Sequence, residues 1–461
     1  MITQRYGDLE LHYTTSVRTA WPTSIIPRAE GASSHPRILV GHVGQSGWWP
    51  AGFQFSNGTN LADAGSLLLR DVSADRSLIQ PCVRWERIGD LPRVVSGPGA
   101  VDELSSAVWR PIPPPGYVAL SDCASVSTPP LETGVCIRQV HNGRRYARQG
   151  EVGEQLFDGA GTRLWSVVTP PYPDGDLDER LFLPVGGFTA VRVAGRPNPT
   201  PTTWILDLPA VVQRAPGPGI PVLTSPARPP AQTRVTDRTV TVPYVLVNDP
   251  NRTAAWQIQN SPFYRIRRHR IFDLVLFRDN RAGTVAQPES QTITTGVTRE
   301  AGFSFSVATG ITVGASVGVE ASAKPFGMGA SVTTTASVSA SIELGYETRR
   351  NVSTMAEESK ERGLIIPPRS TGCLWMEQHE LVPVRANGET LSAQASLGFR
   401  TDYYVTGEFP GGSGVIPFTS DASGERIPLP ARHLLPDRPR AAADTLPPDT
   451  TAANGEPAEE Q

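Results

Sequence analysis

Apolar and polar positions alternate along most of the chain in short runs broken by glycine and proline, but over residues 301–348 they alternate for far longer. On the first arm the apolar row is odd-numbered: Phe303, Phe305, Val307, Ile311, Val313, Ala315, Val317, Val319, Ala321 and Ala323, with Thr309 among them. Serine, glycine, threonine, Ala308 and Glu320 fill the even positions between. Past Lys324-Pro325-Phe326-Gly327 the parity inverts. The apolar row becomes Met328, Ala330, Val332, Ala336, Val338, Ala340, Ile342, Leu344 and Tyr346, with Thr334 the one exception. Ser331, Thr333, Thr335, Ser337, Ser339, Ser341 and Glu343 take the other face. Strand side chains point alternately to opposite faces, so each arm has one apolar face and one small, hydrophilic face. Folding about residues 324–327 pairs Ala323 with Met328, Val319 with Val332, Val313 with Val338 and Phe305 with Tyr346. Both apolar rows then lie on one side. The pattern predicts one long amphipathic β-hairpin.

A lipid-facing barrel strand needs about 9–11 residues of such alternation, and each arm supplies roughly twice that. A single hairpin has open edges, which lipid does not tolerate, so a spanning barrel would be assembled from several copies. In that barrel the apolar rows face lipid, while Ser316, Glu320, Thr333, Ser337 and Glu343 face a water-filled lumen. Lys324, Pro325, Phe326 and Gly327 form the tip, and the spanning part lies nearest it, about 313–323 and 328–338. Rings of Glu320 and Glu343 would favour cations. The charges between Gly302 and Thr348 are Glu320, Lys324, Glu343 and Glu347. The rival expectation is a ribbon that only extends a sheet, in a non-lytic glycan- or lipid-binding β module or a structural surface protein.

The rest of the 461 residues reads as all-β, with 43 glycines and 44 prolines spread throughout and helical periodicity nearly absent. An elongated multi-domain protein is expected: a β-rich recognition region over 1–215, a proline-rich linker over 216–235, a long-stranded module over 236–435 and a disordered tail over 436–461. Within the module the strand-like stretches are 239–247, 256–270, 272–277 and 364–384, with one short helix over 354–362.

Net charge is −3, which does not favour nucleic acid. The cluster Tyr264-Arg265-Ile266-Arg267-Arg268-His269-Arg270 puts Arg265 and Arg267 on one strand face and Tyr264, Ile266 and Arg268 on the other. Arg265, Arg267, Arg268 and Arg270 are candidates for contact with anionic headgroups or a neighbouring subunit. Cys82, Cys123, Cys136 and Cys373 lack metal or redox spacing; free buried thiols are expected over a Cys123–Cys136 bridge. The seven histidines are scattered, and no nucleophile elbow or phosphate loop is present, so no enzyme, metal or cofactor is expected. The acidic run Asp174-Gly-Asp176-Leu-Asp178-Glu179 lacks the full calcium-loop pattern and reads as a solvated turn. The first residues lack a charged-then-apolar signal pattern, and no run of 18 apolar residues exists. The expectation is a protein soluble when made, then secreted or released by lysis.

Two stretches resemble known families. Trp85-Glu-Arg-Ile, then Trp109-Arg-Pro-Ile-Pro-Pro-Pro-Gly-Tyr-Val-Ala-Leu-Ser-Asp122, with Leu181-Phe-Leu-Pro-Val-Gly-Gly-Phe188, resembles the vacuolar protein sorting "sixty-two"-type family over about 75–190. Ser121 stands where that family usually has glycine, a departure expected to be minor. Trp109 and Tyr117 read as core anchors. The second half resembles the aerolysin-like β-pore-forming toxins. A strand over 291–298 enters the amphipathic insert, and the exit runs through Ile365-Ile-Pro-Pro-Arg-Ser370, Leu374–Val384 and Arg385-Ala-Asn-Gly388. The resemblance implies that residues 303–346 unfurl on a target membrane within a homo-oligomer; the sequence leaves the receptor open, with a glycan and a lipid both candidates.

Overall fold

Three units of six short strands repeat one pairing scheme and build the first half of the chain. The computed structural model describes residues 1–21, 37–43, 46–56, 65–92, 106–170, 180–247, 249, 251–296, 358–391, 396–420 and 424–429. After an opening strand β1 (Thr3–Tyr6), unit one holds β2 (Leu9–Thr14), β3 (Val17–Trp21), β4 (Arg37–Gly41), β5 (Trp49–Pro50), β6 (Phe53–Ser56) and β7 (Ser66–Asp71). Unit two holds β8 (Ile79–Pro81), β9 (Arg84–Asp90), β10 (Ala107–Ile112), β11 (Tyr117–Ala119), β12 (Cys123–Ser125) and β13 (Val135–Arg138). A ribbon of β14 (Val140–His141) and β15 (Arg144–Arg145) follows. Unit three holds β16 (Ala147–Gln149), β17 (Glu151–Gly159), β18 (Thr162–Val168), β19 (Arg180–Leu183), β20 (Phe188–Val191) and β21 (Trp204–Pro209).

In every unit the third strand pairs with the second and the fifth, and the sixth pairs with the first and the fourth. Each set of sheets closes over its own core. Trp21, Phe53, Phe55, Val108, Leu164 and Phe188 come from second, third and fifth strands and pack in one cluster. Leu9, Leu67, Ile79, Ile137, Leu181 and Leu206 come from the other sheets and pack in a second. That second cluster continues into Val240, Tyr264, Ile266 and Leu381 of the second half, so the two halves share a core.

The units meet where the fourth strand hands over to the fifth, at Gly52, Ser121 and Gly187. A Cβ on Gly52 would lie 2.8 Å from the Ser121 Cβ, and one on Gly187 would lie 2.8 Å from the same atom and 2.6 Å from the Leu120 carbonyl oxygen. Only one of the three positions has room for a side chain. Ser121 fills it: its hydroxyl oxygen accepts from the Phe53 amide at 3.4 Å and the Phe188 amide at 3.3 Å, tying all three units together, and its proton has the Asp122 (2.7 Å) and Phe53 (3.0 Å) carbonyls within reach. The serine in place of the expected glycine is therefore no minor change in a turn. Beside it Arg110 donates to both oxygens of the fully buried Asp122 (2.9 and 2.7 Å) and to the Ala190 carbonyl (2.7 Å). Tyr117 is buried as expected and Trp109 partly so; all four cysteines are free and buried.

The second half contains two sheets. One orders β22 (Val211–Arg214), β23 (Val235–Pro243), β24 (Phe263–Asp279), β27 (Thr371–Val384) and β28 (Leu397–Phe409); the other orders β25 (Gln287–Thr295), β26 (Glu358–Ile366), β29 (Ile416–Ser420) and β30 (Arg426–Pro428). At about 3.3 Å per residue, the 17 residues of β24 span roughly 56 Å.

Several expected elements differ. Residues 256–260 belong to helix α1 (Ala254–Asn260), because the Thr253 hydroxyl accepts from the Trp256 amide at 3.2 Å and caps it. The expected strand over 239–247 starts earlier, at Val235, and ends at Pro243 in a 3-10 turn. The expected strand over 364–384 is two strands, reversed at Pro367–Ser370, where Arg369 has φ +63° and the Ser370 hydroxyl donates to the Pro367 carbonyl at 2.7 Å. Residues 358–362, expected helical, are strand. Helix-forming side chains lose there to pairing with β25 and to burial of Leu364 and Ile366. The insert 301–348, the acidic run 174–179 and the tail 436–461 lie outside the described residues.

Gly52→Ala should lower stability by about 1–3 kcal/mol through overpacking against Ser121. Ser121→Gly should relieve that penalty in the double variant but not the penalty of Gly187→Ala, which also meets the Leu120 backbone. Chemical denaturation of the five variants reads the difference.

Candidate functional site

β25 and β26 lie side by side as the two legs from which the chain leaves for, and returns from, residues 297–357. Their register runs unbroken from Gln287 opposite Ile366 to Thr295 opposite Glu358. At the far end of the legs Asn280 staples two turns. Its side-chain amide donates to the carbonyls of Val285 (3.0 Å), Ile366 (2.9 Å) and Pro367 (3.0 Å). At the near end Gly296 bridges Arg400 of β28, its amide 2.7 Å from the Arg400 carbonyl. The legs are thus pinned at both ends.

Their inward faces have a definite parity. On β25 the odd positions Ile293 and Thr295 are buried; on β26 the even positions Arg362, Leu364 and Ile366 are buried, with Gly363 between them passing under the Phe418 ring. Ile293, Leu364 and Ile366 pack with Leu276, Leu374, Met376 and Tyr404 between the two sheets. Odd on the outgoing leg and even on the returning leg is the parity of the apolar rows of the insert.

The opposite face of the long sheet has three zones. Tyr264, Ile266, Val240 and Leu381 meet the three-unit head. Phe272, Cys373, Trp375 and Val405 make a separate apolar zone farther down. Between them sits a buried ladder of charges. Arg268 donates to both oxygens of Asp237 (2.8 and 2.5 Å); Arg270 reaches Asp237 at 3.0 Å and Glu377 at 2.8 Å. His379 Nε2 stands 3.2 Å from Glu377, with its ring stacked on Phe399 at 4.9 Å. Two arginines against two carboxylates leave the ladder neutral while His379 is neutral.

Burial alone would raise the Glu377 carboxyl, but the adjacent His379 ring and the Arg270 guanidinium hold it down to about 2. Burial lowers His379 below its ordinary value despite the facing carboxylate, so at pH 7 the ring is neutral with Nε2 beside Glu377. Asp237 is likewise lowered, burial being outweighed by Arg268 and Arg270.

The basic cluster on β24 is thereby divided. Arg265 and Arg267 lie half-buried on the outward face, where Arg265 donates to the Ala386 carbonyl at 3.4 Å. Arg268 and Arg270 face inward and are spent on Asp237 and Glu377, which removes them as contacts for headgroups or a neighbour. The strand parity read from sequence holds; the acids that claim the inward pair were missed. Their signal was present: Glu377 and His379 share the parity of Cys373, Trp375 and Leu381 on the strand Thr371–Val384. The Asn387-Gly388 hairpin stands as expected, with Gly388 at φ +94° and the Glu389 amide donating to Asn387 at 3.0 Å.

Among the described residues no group of three His, Cys, Asp or Glu side chains could hold a metal, and no helix is long and apolar enough to cross a membrane. Residues 238–395 match the family model described as Insecticidal Crystal Toxin, P42. The matched stretch takes in both legs and the whole insert and starts beyond the three-unit head, so it lends nothing to the sixty-two-type resemblance over 75–190. Among solved structures the chain is similar to GNIP1Aa from Chromobacterium piscinae, at 20% identity over 41% of this chain and 34% of that one, with a TM-score of 0.29. The chain therefore spans about a third of that protein's length. It is also similar to Cry35Ab1, at 10% identity over 88% of this chain and 91% of that one, with a TM-score of 0.37. No curated protein matches.

The ladder predicts acid lability. Unfolded histidine takes its proton near pH 6.5 and unfolded glutamate near 4.3, roughly, whereas both native groups resist protonation to lower pH. Stability should fall as pH drops below about 6.5, and again below about 4.5. His379→Gln removes that titration, so its melting temperature should show a shallower first decline, with the burial-lowered His12 and His269 still contributing to it, and keep the second.

Proposed function

We propose that this chain is a β-pore-forming toxin: it binds a target membrane, oligomerises, and inserts residues 303–346 of each copy as one hairpin of a shared transmembrane barrel. The observation that carries the reading is the parity shared by legs and insert. Continued up the insert, the leg register would set Phe305 opposite Thr348, against Tyr346 in the hairpin read from sequence. The two registers differ by two residues, so faces are preserved. The apolar face of the legs and the apolar rows of the insert then form one surface without a change of side. A sheet core at the base passes into a lipid-facing wall at the tip.

The match over 238–395 to a family described as an insecticidal crystal toxin supports the toxin class, and it makes insect membranes the first target to try. Receptor recognition is assigned to the three-unit head. Arg265 and Arg267, on the outward sheet face, are the cluster members still placed to meet anionic headgroups or a neighbouring copy. The reaction is mechanical and needs no cofactor: hydrogen bonds are exchanged between strands, and apolar rows move from protein contacts to lipid.

The geometry of the legs gives a clean test. Thr295 and Glu358 are register partners, so replacing residues 297–357 with Asn-Gly closes the legs as an ordinary hairpin and leaves the body intact. That variant should fold, bind vesicles and release no entrapped dye, whereas the full chain releases it. Release by the excised variant would end the pore reading. In planar bilayers the full chain should prefer cations, and Glu320→Gln with Glu343→Gln should bring the permeability ratio toward one; an anion preference in the full chain would reject the lumen assignment.

A further inference from the structure

The proline-rich stretch expected to be a plain linker is instead a strap laid over the apolar zone of the long sheet. It leaves β22 with the Ala215 amide bonded to the Asp237 carbonyl (2.8 Å) and returns where Arg234 meets Glu380 (2.5 Å) and Val235 pairs with Arg270. Both ends are therefore fixed within one small area of the sheet, and the 19 residues from 216 to 234 form an out-and-back loop between them. Gly217 runs against the Arg270 guanidinium, where an added Cβ would sit 2.9 Å from Nη1. Arg228 lies 6.0 Å from the Phe277 ring centroid. Between these, one plug holds the strap down: Pro221 and Leu223 are buried, and Leu223 packs with Phe272, Cys373, Trp375 and Val405. Its alternate neighbours Ile220 and Val222 face outward, 51% and 70% exposed. The six prolines of the strap supply no amide hydrogens, so it does not join the sheet as a strand.

We propose that this strap is exchanged between copies on assembly: in the oligomer Pro221 and Leu223 of one copy fill the Phe272–Trp375–Val405 pocket of the next. The occupant is argued from the pocket itself, whose fitted ligand is a segment that every copy carries. Exchange of an identical element re-forms the same contacts between chains, and fixed loop ends let it proceed without unfolding either sheet. Passed head to tail, it links copies in one rotational sense, as a ring of hairpins requires. The proposal rests on the oligomer of the pore reading and adds its interface. In the monomer the closed strap shields the zone and keeps Cys373 covered, and burial pushes that thiol up to about 12.

Leu223→Cys places a thiol in the same cluster as Cys373. Oxidised as monomer, the variant should give an intramolecular bond. Incubated with phosphatidylcholine–phosphatidylserine vesicles carrying target-membrane extract and then oxidised, it should give a covalent ladder on non-reducing gels. The ladder should be absent when Cys373→Ala is added. Oligomers that form, by sedimentation, with only the intramolecular bond would overturn the exchange while leaving the pore reading standing. An absence of oligomers under conditions where vesicles bind would overturn both. As a second variant, Leu223→Ser should bind vesicles yet lose at least tenfold in oligomer yield, and wild-type yield from it would equally reject the exchange.

Discussion

Two neighbouring strands, β25 and β26, leave the body with their apolar faces in phase, and the rest of the account hangs on that. Side chains on a strand have a period of two, so a slip of one residue between leg and insert would turn the apolar rows toward water. Asn280 at one end and Gly296 at the other fix the legs against the long sheet, and Ile293, Leu364 and Ile366 fix which face is inward. Phase is set in the body, where packing of Ile293, Leu364 and Ile366 specifies it, and the small residues of the insert carry the same odd-then-even pattern in their sequence.

The long sheet serves this arrangement by using its two faces at different heights. One face covers the legs. The other meets the head, then carries the charge ladder of Asp237, Arg268, Arg270, Glu377 and His379, then the zone under the strap. Breaking a buried ionic ladder by removing one partner is strongly destabilising, while the intact ladder contributes little net stability. Its effect here is to fix the register of β23, β24 and β27 between two apolar zones that could otherwise slide.

Much of this was legible in the chain. The alternation of the insert and the Asn387-Gly388 hairpin are local patterns with local causes, and the all-β character followed from strand-like stretches broken by glycine and proline, whereas the Pro367–Ser370 reversal fell inside a stretch expected to be one strand. The three-unit head was not legible, because each unit closes by pairing strands far apart in sequence, and the units share little beyond Gly52, Ser121 and Gly187 at their meeting point. Helix α1 hid behind a strand-like run because a single cap, Thr253, decides it. Residues 358–362 looked helical because Glu, Lys and Arg favour helices, and pairing with the partner strands β25 and β29 overrides them. The fate of Arg268 and Arg270 depended on Asp237 and Glu377, 31 and 107 residues away. The strap looked like a linker because proline-rich composition says nothing of what the chain lies upon.

The central claim is the face assignment within residues 303–346, and an environment-sensitive fluorophore reads it residue by residue. Single cysteines placed at consecutive positions 313–320 and 331–338 would each be labelled and followed as the protein meets vesicles. Emission should shift to the blue at odd positions on the first arm and even positions on the second, with water-like emission at the positions between. Uniform shifts along both arms, or no shift while vesicles leak, would contradict it.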